Sequence, residues 1–163
     1  MLIRLKNKDT LKIDEFSFKC CIGKKGLKTK KVERDLATPK GTYLLKKLYY
    51  RSDKFKKIET LIPKIRIKKN MGWCNDPKHR FYNSLIKIRK KVKHEKMYRK
   101  DRKYDLVIVI DYNLKKPIPF KGSAIFIHLT QNYKPTAGCI ALSKNDMLVL
   151  LKIINKKTKI NIY

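Results

Sequence analysis

The sequence has few acidic residues, and this shortage determines its charge. Its 163 residues include 13 Asp and Glu against 43 Lys and Arg, which gives a formal net charge of +30. A chain this basic attracts polyanions non-specifically, so RNA, DNA and acidic surfaces are candidate partners. Lysine, however, outnumbers arginine 35 to 8, and the chain is also rich in Ile and Asn, a pattern that an AT-rich genome produces whatever the function. Net charge alone therefore does not identify a nucleic-acid-binding protein.

Long hydrophobic runs are missing as well. No apolar run reaches the roughly 18–20 residues that a membrane-spanning helix needs, so no membrane span is expected. The first eight residues lack the apolar segment of a secretory signal peptide, so no export signal is expected there. Neither a repeat nor a linker-like stretch interrupts the chain, and 42% of its residues are hydrophobic. We therefore predict one domain over residues 1–163, because single domains usually hold roughly 100–200 residues.

Cysteine pairs with metal-ligand spacing are also absent. The four cysteines are Cys20, Cys21, Cys74 and Cys139, with no C-x-x-C pair among them. A zinc ribbon is therefore not expected. Cys20 and Cys21 are adjacent and would point to opposite faces of a strand, which makes them poor disulfide partners. Three of the cysteines are explained as small buried hydrophobes, and only Cys139 has neighbours that indicate chemistry.

The apolar pattern predicts a β-rich α+β domain. Strands are predicted over residues 1–5, 12–22, 42–50, 106–110, 123–129 and 158–163. A helix is expected after Ser143, which is a good N-cap with Asp146 three residues later. The apolar face of that helix would consist of Met147, Leu150, Leu151 and Ile154. Residues 51–98 are predicted to be mostly loop with short elements.

A histidine and a cysteine lie near each other in the most apolar part of the chain. His128 is near the end of the predicted strand 123–129, and Cys139 follows eleven residues later, directly after Gly138. The loop between them is long enough to bring the thiol beside the imidazole, which then takes the thiol proton or holds it in a thiolate–imidazolium pair. Gly138 allows backbone geometry that directs N–H groups at a developing oxyanion. On spacing alone, two ordinary core residues remain the alternative.

Several blocks around these residues resemble a known family. The blocks are residues 37–43, 72–77, 94–95, 104–110, 112–113, 122–128 and 135–143. In this order they resemble the YkuD-type L,D-transpeptidases of bacterial cell walls, in particular a shorter proteobacterial branch. The resemblance implies a mixed β-sandwich or barrel with a helix after the catalytic cysteine. One position departs from it, since Ala137 stands where most members have a second histidine, and the loop from His128 to Cys139 is shorter.

The resemblance also implies roles for individual residues. Cys139 corresponds to the acylated nucleophile and His128 to the general acid and base, oriented by the backbone carbonyl of Leu129. Gly138 and the N–H of Cys139 correspond to the oxyanion hole. Substrate-binding roles are implied for Thr136, Tyr112 and Trp73, although a packing role explains Trp73 at least as well. The pair His94 and Glu95 is either a second functional pair or a structural one.

The implied activity is acyl transfer between peptidoglycan stem peptides through a thioester. Water as acceptor would make the same enzyme an L,D-carboxypeptidase, and carbapenem-type β-lactams are expected covalent inhibitors. No metal, organic cofactor or specific nucleic acid is expected, and the chain is expected to be a monomer. The activity points to the periplasm or cell wall, with the cytoplasm as the alternative because no signal peptide is visible.

The competing hypothesis is a basic RNA-binding or ribosome-associated protein in which Cys139 has no chemical role. No RNP-like aromatic motif or helix-turn-helix supports that hypothesis.

Overall fold

The computed structural model describes residues 1–29 and 31–163, which form fourteen strands and one helix. The strands are β1 Leu2–Lys6, β2 Thr10–Ile13, β3 Phe16–Cys21, β4 Leu27–Lys28, β5 Thr38–Pro39, β6 Gly41–Tyr50, β7 Lys64–Arg66, β8 Met71–Cys74, β9 Leu85–Lys87, β10 His94–Lys96, β11 Leu106–Ile110, β12 Phe126–Leu129, β13 Ile140–Leu142 and β14 Lys159–Ile162. The helix α1 is Lys144–Ile153. The predicted β-rich α+β class is confirmed.

Eight of the strands close into a barrel-like sheet. They are hydrogen-bonded in the order β11-β12-β13-β3-β2-β1-β14-β6, and β6 pairs again with β11. Strand β6 is ten residues long, so its first half pairs with β14 while its second half pairs with β11. Closure removes the unpaired edges of an open sheet. The barrel that the family resemblance implies is therefore confirmed.

The main core lies inside the barrel and includes one face of α1. Along β1, buried Ile3 and Leu5 alternate with exposed Arg4 and Lys6, the period of two that a half-buried strand requires. The helix contributes its buried side chains Met147, Leu150 and Leu151 to the same core. Ser143 caps the helix by accepting a hydrogen bond from the N–H of Asp146 at 3.1 Å, as predicted. This described helix, at ten residues, is well short of membrane-spanning length.

Strands β11 and β12 are buried on both faces, which explains their uninterrupted apolar sequences. On β11, the side chains of Leu106, Ile108 and Ile110 belong to the main core, whereas Val107 and Val109 belong to a second core. The second core also contains Trp73 from the small antiparallel sheet β10-β8-β9, together with Phe126 and Cys139. Cys139 therefore belongs to the second core, which is separate from the barrel interior.

Two predicted strands differ in the structure. The expected strand 12–22 is a hairpin of β2 and β3, because Asp14 turns the chain with a φ of 49°. The strand expected over 123–129 begins only at Phe126, since Ala124 also has a left-handed φ of 53°. Residues 51–98 are mostly loop with short elements, as predicted, and contain β7 to β10, three of which form the small sheet. Its strands are only three or four residues long, so they carry almost no periodic signal.

Candidate active site

A cavity of about 610 Å³ opens beside the end of β12. Its wall comes from β12, the loop before β13, strand β10 and residues 31–34. Five of the predicted site residues line it: His128, Leu129, Thr136, Gly138 and Cys139. Ligand sites commonly measure about 300–1,000 Å³, so this cavity has room for part of a peptide.

Parallel pairing of β12 with β13 brings the histidine and the cysteine together. His128 lies opposite Ala141 in this pair. Continuing the register by two residues places Cys139, which immediately precedes β13, opposite Phe126. His128 and Phe126 share a face of the sheet because they are two residues apart, so Cys139 belongs to that face too. One strand across and two residues along separates the Cα atoms of His128 and Cys139 by about 8 Å.

The imidazole of His128 is held in one tautomer. Its Nδ1 lies 2.9 Å from the carbonyl oxygen of Leu129. A carbonyl only accepts hydrogen bonds, so Nδ1 carries the proton and Nε2 keeps its lone pair. The ring also packs against Tyr104, with 5.4 Å between ring centroids. Burial is the main reason that the pKa of His128 is lowered to about 4. The imidazole is therefore neutral at pH 7 and available as a base.

The thiol of Cys139 is protonated in the resting state. It is 8% exposed, and its Sγ donates to the carbonyl oxygen of Ala124 at 3.1 Å. Burial, followed by the negative charge of Glu95, raises the pKa of Cys139 to about 12. Together with the low pKa of His128, this favours a neutral thiol–imidazole pair over a resting thiolate–imidazolium pair. His128 is then a base that takes the proton while the sulfur attacks.

Two threonines hold the loop that carries the cysteine. The Thr136 hydroxyl donates to the carbonyl of Cys139 at 2.6 Å and accepts from the N–H of Gly138 at 3.1 Å. Both of these hydrogen bonds lie within the loop, and the N–H of Gly138 points at the Thr136 hydroxyl. From a distant part of the chain, Thr38 donates to the carbonyl of Gly138 at 2.9 Å and accepts from the N–H of Gly23 at 2.9 Å. The loop geometry therefore depends on the segment around Thr38.

Gly138 is required by its backbone and by its surroundings. Its φ is 140°, a conformation that side chains rarely adopt. A Cβ at this position would lie 2.8 Å from the carbonyl oxygen of Ala37. Because that oxygen belongs to the backbone, relieving the clash would displace either the segment that holds the loop or the loop itself.

We expect Thr38→Val to destabilise the protein by about 1–3 kcal/mol, because it leaves the buried Gly23 N–H and Gly138 carbonyl without their partner. Urea unfolding followed by circular dichroism measures the change. Thr38→Ser is the matched control, since it keeps the hydroxyl and should retain most of the stability. A serine variant as unstable as the valine variant would show that these hydrogen bonds are not what stabilises the loop.

Two predicted substrate-binding residues do not reach the cavity. Trp73 is buried, donates from Nε1 to Oδ1 of Asn83 at 2.9 Å, and packs edge-on against Phe126 with 5.0 Å between ring centroids. Tyr112 packs edge-on against Tyr43 with 5.5 Å between centroids. Neither residue lines the cavity. Trp73 is a packing anchor of the second core, and the structure does not support a substrate-binding role for either side chain.

The sequence by itself does not assign a role to the other residues that line the cavity. Among the described residues, six cationic side chains line it: Lys31, Arg34, Lys96, Arg99, Lys103 and Lys134. Lys31 is only 3% exposed and pairs with Asp35 at 2.7 Å. In a chain with 43 basic residues, nothing in the sequence distinguishes these six. Glu95 also lines the cavity, with its neighbour His94, and these two are the pair that the sequence left open. In the described part of the chain, no cluster of three or more His, Cys, Asp or Glu could hold a metal ion.

Comparison with known proteins agrees with this fold. Residues 3–162 match the family model described as YkuD, the L,D-transpeptidase catalytic domain. No curated protein matches the chain. The family match spans almost every residue, including His128 on β12 and Cys139 directly before β13. The chain therefore belongs to the YkuD family of L,D-transpeptidase catalytic domains.

Proposed function

We propose that this chain is a cysteine L,D-transpeptidase that cross-links peptidoglycan stem peptides through a thioester on Cys139. One observation carries the proposal. A buried, protonated thiol lies in the same cavity as a neutral histidine whose Nδ1 is bound by the Leu129 carbonyl. Family membership supplies the reaction class, and the cavity supplies a nucleophile and a base for it.

The first half-reaction acylates the enzyme. Nε2 of His128 takes the thiol proton while the sulfur attacks the carbonyl carbon of the donor stem, and a C–S bond forms. The N–H of Cys139 donates to the resulting oxyanion. The C–N bond then breaks, and the terminal residue leaves with the proton that His128 returns to its nitrogen. A thioester and a neutral imidazole remain.

The second half-reaction releases the acyl group. An amine of a second stem attacks the thioester carbon, a C–N bond forms and the C–S bond breaks. His128 carries a proton from the attacking nitrogen back to the sulfur, which restores the thiol. With water in place of the amine, the same steps give L,D-carboxypeptidase activity.

The charge of the cavity suits this substrate. Stem peptides carry several carboxylates, and the six cationic side chains of the cavity would attract them. Stem peptides are assembled into the wall outside the inner membrane, so the periplasm is part of the proposal.

The test is to incubate the purified protein with a tetrapeptide stem and measure intact mass and products by mass spectrometry. We expect an acyl adduct that peptide mapping places on Cys139, together with cross-linked dimers. Cys20, Cys21 and Cys74 are internal controls, because all three are buried thiols that lie outside the cavity lining. A carbapenem should add to the same cysteine. Acylation of another cysteine, or of none, would contradict the proposal.

The net charge of +30 is the observation that favours the competing hypothesis of RNA binding. Binding to RNA can be measured by fluorescence anisotropy at increasing salt concentration. Tight binding with a steep salt dependence, in a protein that forms no acyl adduct, would support RNA binding over catalysis.

A further inference from the structure

One carboxylate of the cavity has no function in the steps above and keeps an oxygen without a hydrogen bond from any described side chain. Among the described residues that line it, the acidic side chains are Glu33 and Glu95. Both oxygens of Glu33 are occupied by the hydroxyls of Tyr82 and Ser123. Glu95 accepts a hydrogen bond on Oε1 from the hydroxyl of Tyr104 at 2.6 Å, and no other described side chain hydrogen-bonds to it. Glu95 therefore has an oxygen to offer a ligand.

Strand β10 holds Glu95 beside the cavity. Glu95 pairs there with Trp73 of β8 in the small sheet. Its side chain is 30% exposed, which leaves it accessible from the cavity. The nearest cation, Arg99, lies 3.9 Å from the carboxylate but is bound more closely by Asp101 at 2.5 Å. The negative charge of Glu95 is therefore only weakly neutralised by its neighbours.

Glu95 is also connected to the reacting pair. The Tyr104 side chain that donates to Glu95 packs its ring against the ring of His128. The charge of Glu95 is the second cause, after burial, of the raised pKa of Cys139. Burial raises the pKa of Glu95 itself, which makes it a stronger base than an ordinary carboxylate.

The second half-reaction needs a group that accepts a proton from the attacking amine. An alkyl amine is an ammonium ion at neutral pH, and it must lose a proton before its nitrogen can attack. The six cations of the cavity repel an ammonium ion, and Ala137 has no side chain that could accept the proton. A carboxylate in the cavity offsets the repulsion and accepts the proton.

We infer that Glu95 binds the ammonium group of the acceptor stem and takes its proton before the amine attacks the thioester. This inference rests on the proposed function. The N–H bond of the ammonium breaks and an O–H bond forms on Glu95, which later releases the proton to water. The neutral amine then forms the C–N bond, the C–S bond breaks, and His128 moves the second proton from nitrogen to sulfur as described above. Glu95 thus favours cross-linking over hydrolysis.

The test compares the ratio of cross-linked to hydrolysed product in the wild type and in Glu95→Gln. Glutamine keeps an oxygen that accepts from Tyr104 but removes the charge and the base. We expect the ratio to fall by about 10²-fold, and because both products come from the same thioester, any change in the rate of acylation of Cys139 cancels from the ratio. Glu59→Gln is the matched control, because it makes the same change at an exposed site that pairs with Lys152 outside the cavity. Its ratio should equal that of the wild type.

A second acyl acceptor distinguishes a chemical role of Glu95 from a structural role. Hydroxylamine is largely unprotonated at neutral pH and needs no base, so Glu95→Gln should transfer the acyl group to it as fast as the wild type does. An unchanged ratio with the alkyl amine, or an equal loss with both acceptors, would overturn the inference. If Glu95→Gln does not fold, Glu95→Asp moves the carboxylate back by one methylene, so transfer to the alkyl amine should slow while transfer to hydroxylamine does not. An equal change with both acceptors would overturn the inference. Absence of any thioester in the wild type would instead contradict the proposed function.

Discussion

Cys139→Ala is expected to abolish thioester formation and to lower the rate of cross-linking by at least about 10⁴-fold, because Cys139 is the one thiol among the described residues that line the cavity. The other three cysteines do not line the cavity and cannot substitute for it. Initial rates of dimer formation from tetrapeptide stems, measured by liquid chromatography and mass spectrometry, give the size of the loss.

Cys20→Ala is the control for this experiment. Cys20 is a buried thiol of the main core. Its replacement by alanine also removes one sulfur atom, but from the barrel interior, and it leaves the cavity intact. We expect lower stability with the acylation rate retained. Cross-linking by Cys139→Ala at a rate comparable with that of the wild type would refute the nucleophile assignment.

His128→Gln is expected to lower the acylation rate at neutral pH by about 10²–10⁴-fold, the usual contribution of a general base. In the wild type the reactive form is the neutral pair. The acylation rate should therefore fall as pH drops through about 4, where His128 becomes protonated, and stay level through neutral pH. In the variant the thiol must ionise unaided, and its pKa is raised to about 12. The variant's rate should therefore rise with pH, so that its deficit shrinks in alkaline solution.

The pH profile of acylation from pH 4 to 10 tests this expectation directly. The ultraviolet absorbance of the thiolate in the free enzyme provides an independent readout, with Cys139→Ala as the blank. We expect no thiolate band at pH 7. A strong band that disappears in the blank would show a resting thiolate–imidazolium pair, and a His128→Gln deficit that does not change with pH would exclude His128 as the base.

The sequence predicted secondary structure most accurately where an element has a clear local pattern of apolar or capping residues. The apolar run at β11, the Ser143 cap and the apolar face of α1 are local patterns, and each is present in the structure. The reaction class came from the resemblance of several sequence blocks to the YkuD family, because the spacing of His128 and Cys139 alone left two ordinary core residues as the alternative. The short strands β8, β9 and β10 were not predicted, since each is stabilised by pairing with residues distant in sequence.

What only the tertiary structure decided is the geometry of the site. Parallel pairing of β12 with β13 puts His128 and Cys139 on one face of the sheet, and Thr38 binds Gly138 across 100 residues of sequence. The sequence determined that a histidine and a thiol were available. Their protonation follows from burial, which desolvates both groups and keeps both neutral, and burial is a property of the assembled fold. Glu95 likewise acquires a candidate role only because β10 packs beside β8 and brings its carboxylate to the same cavity.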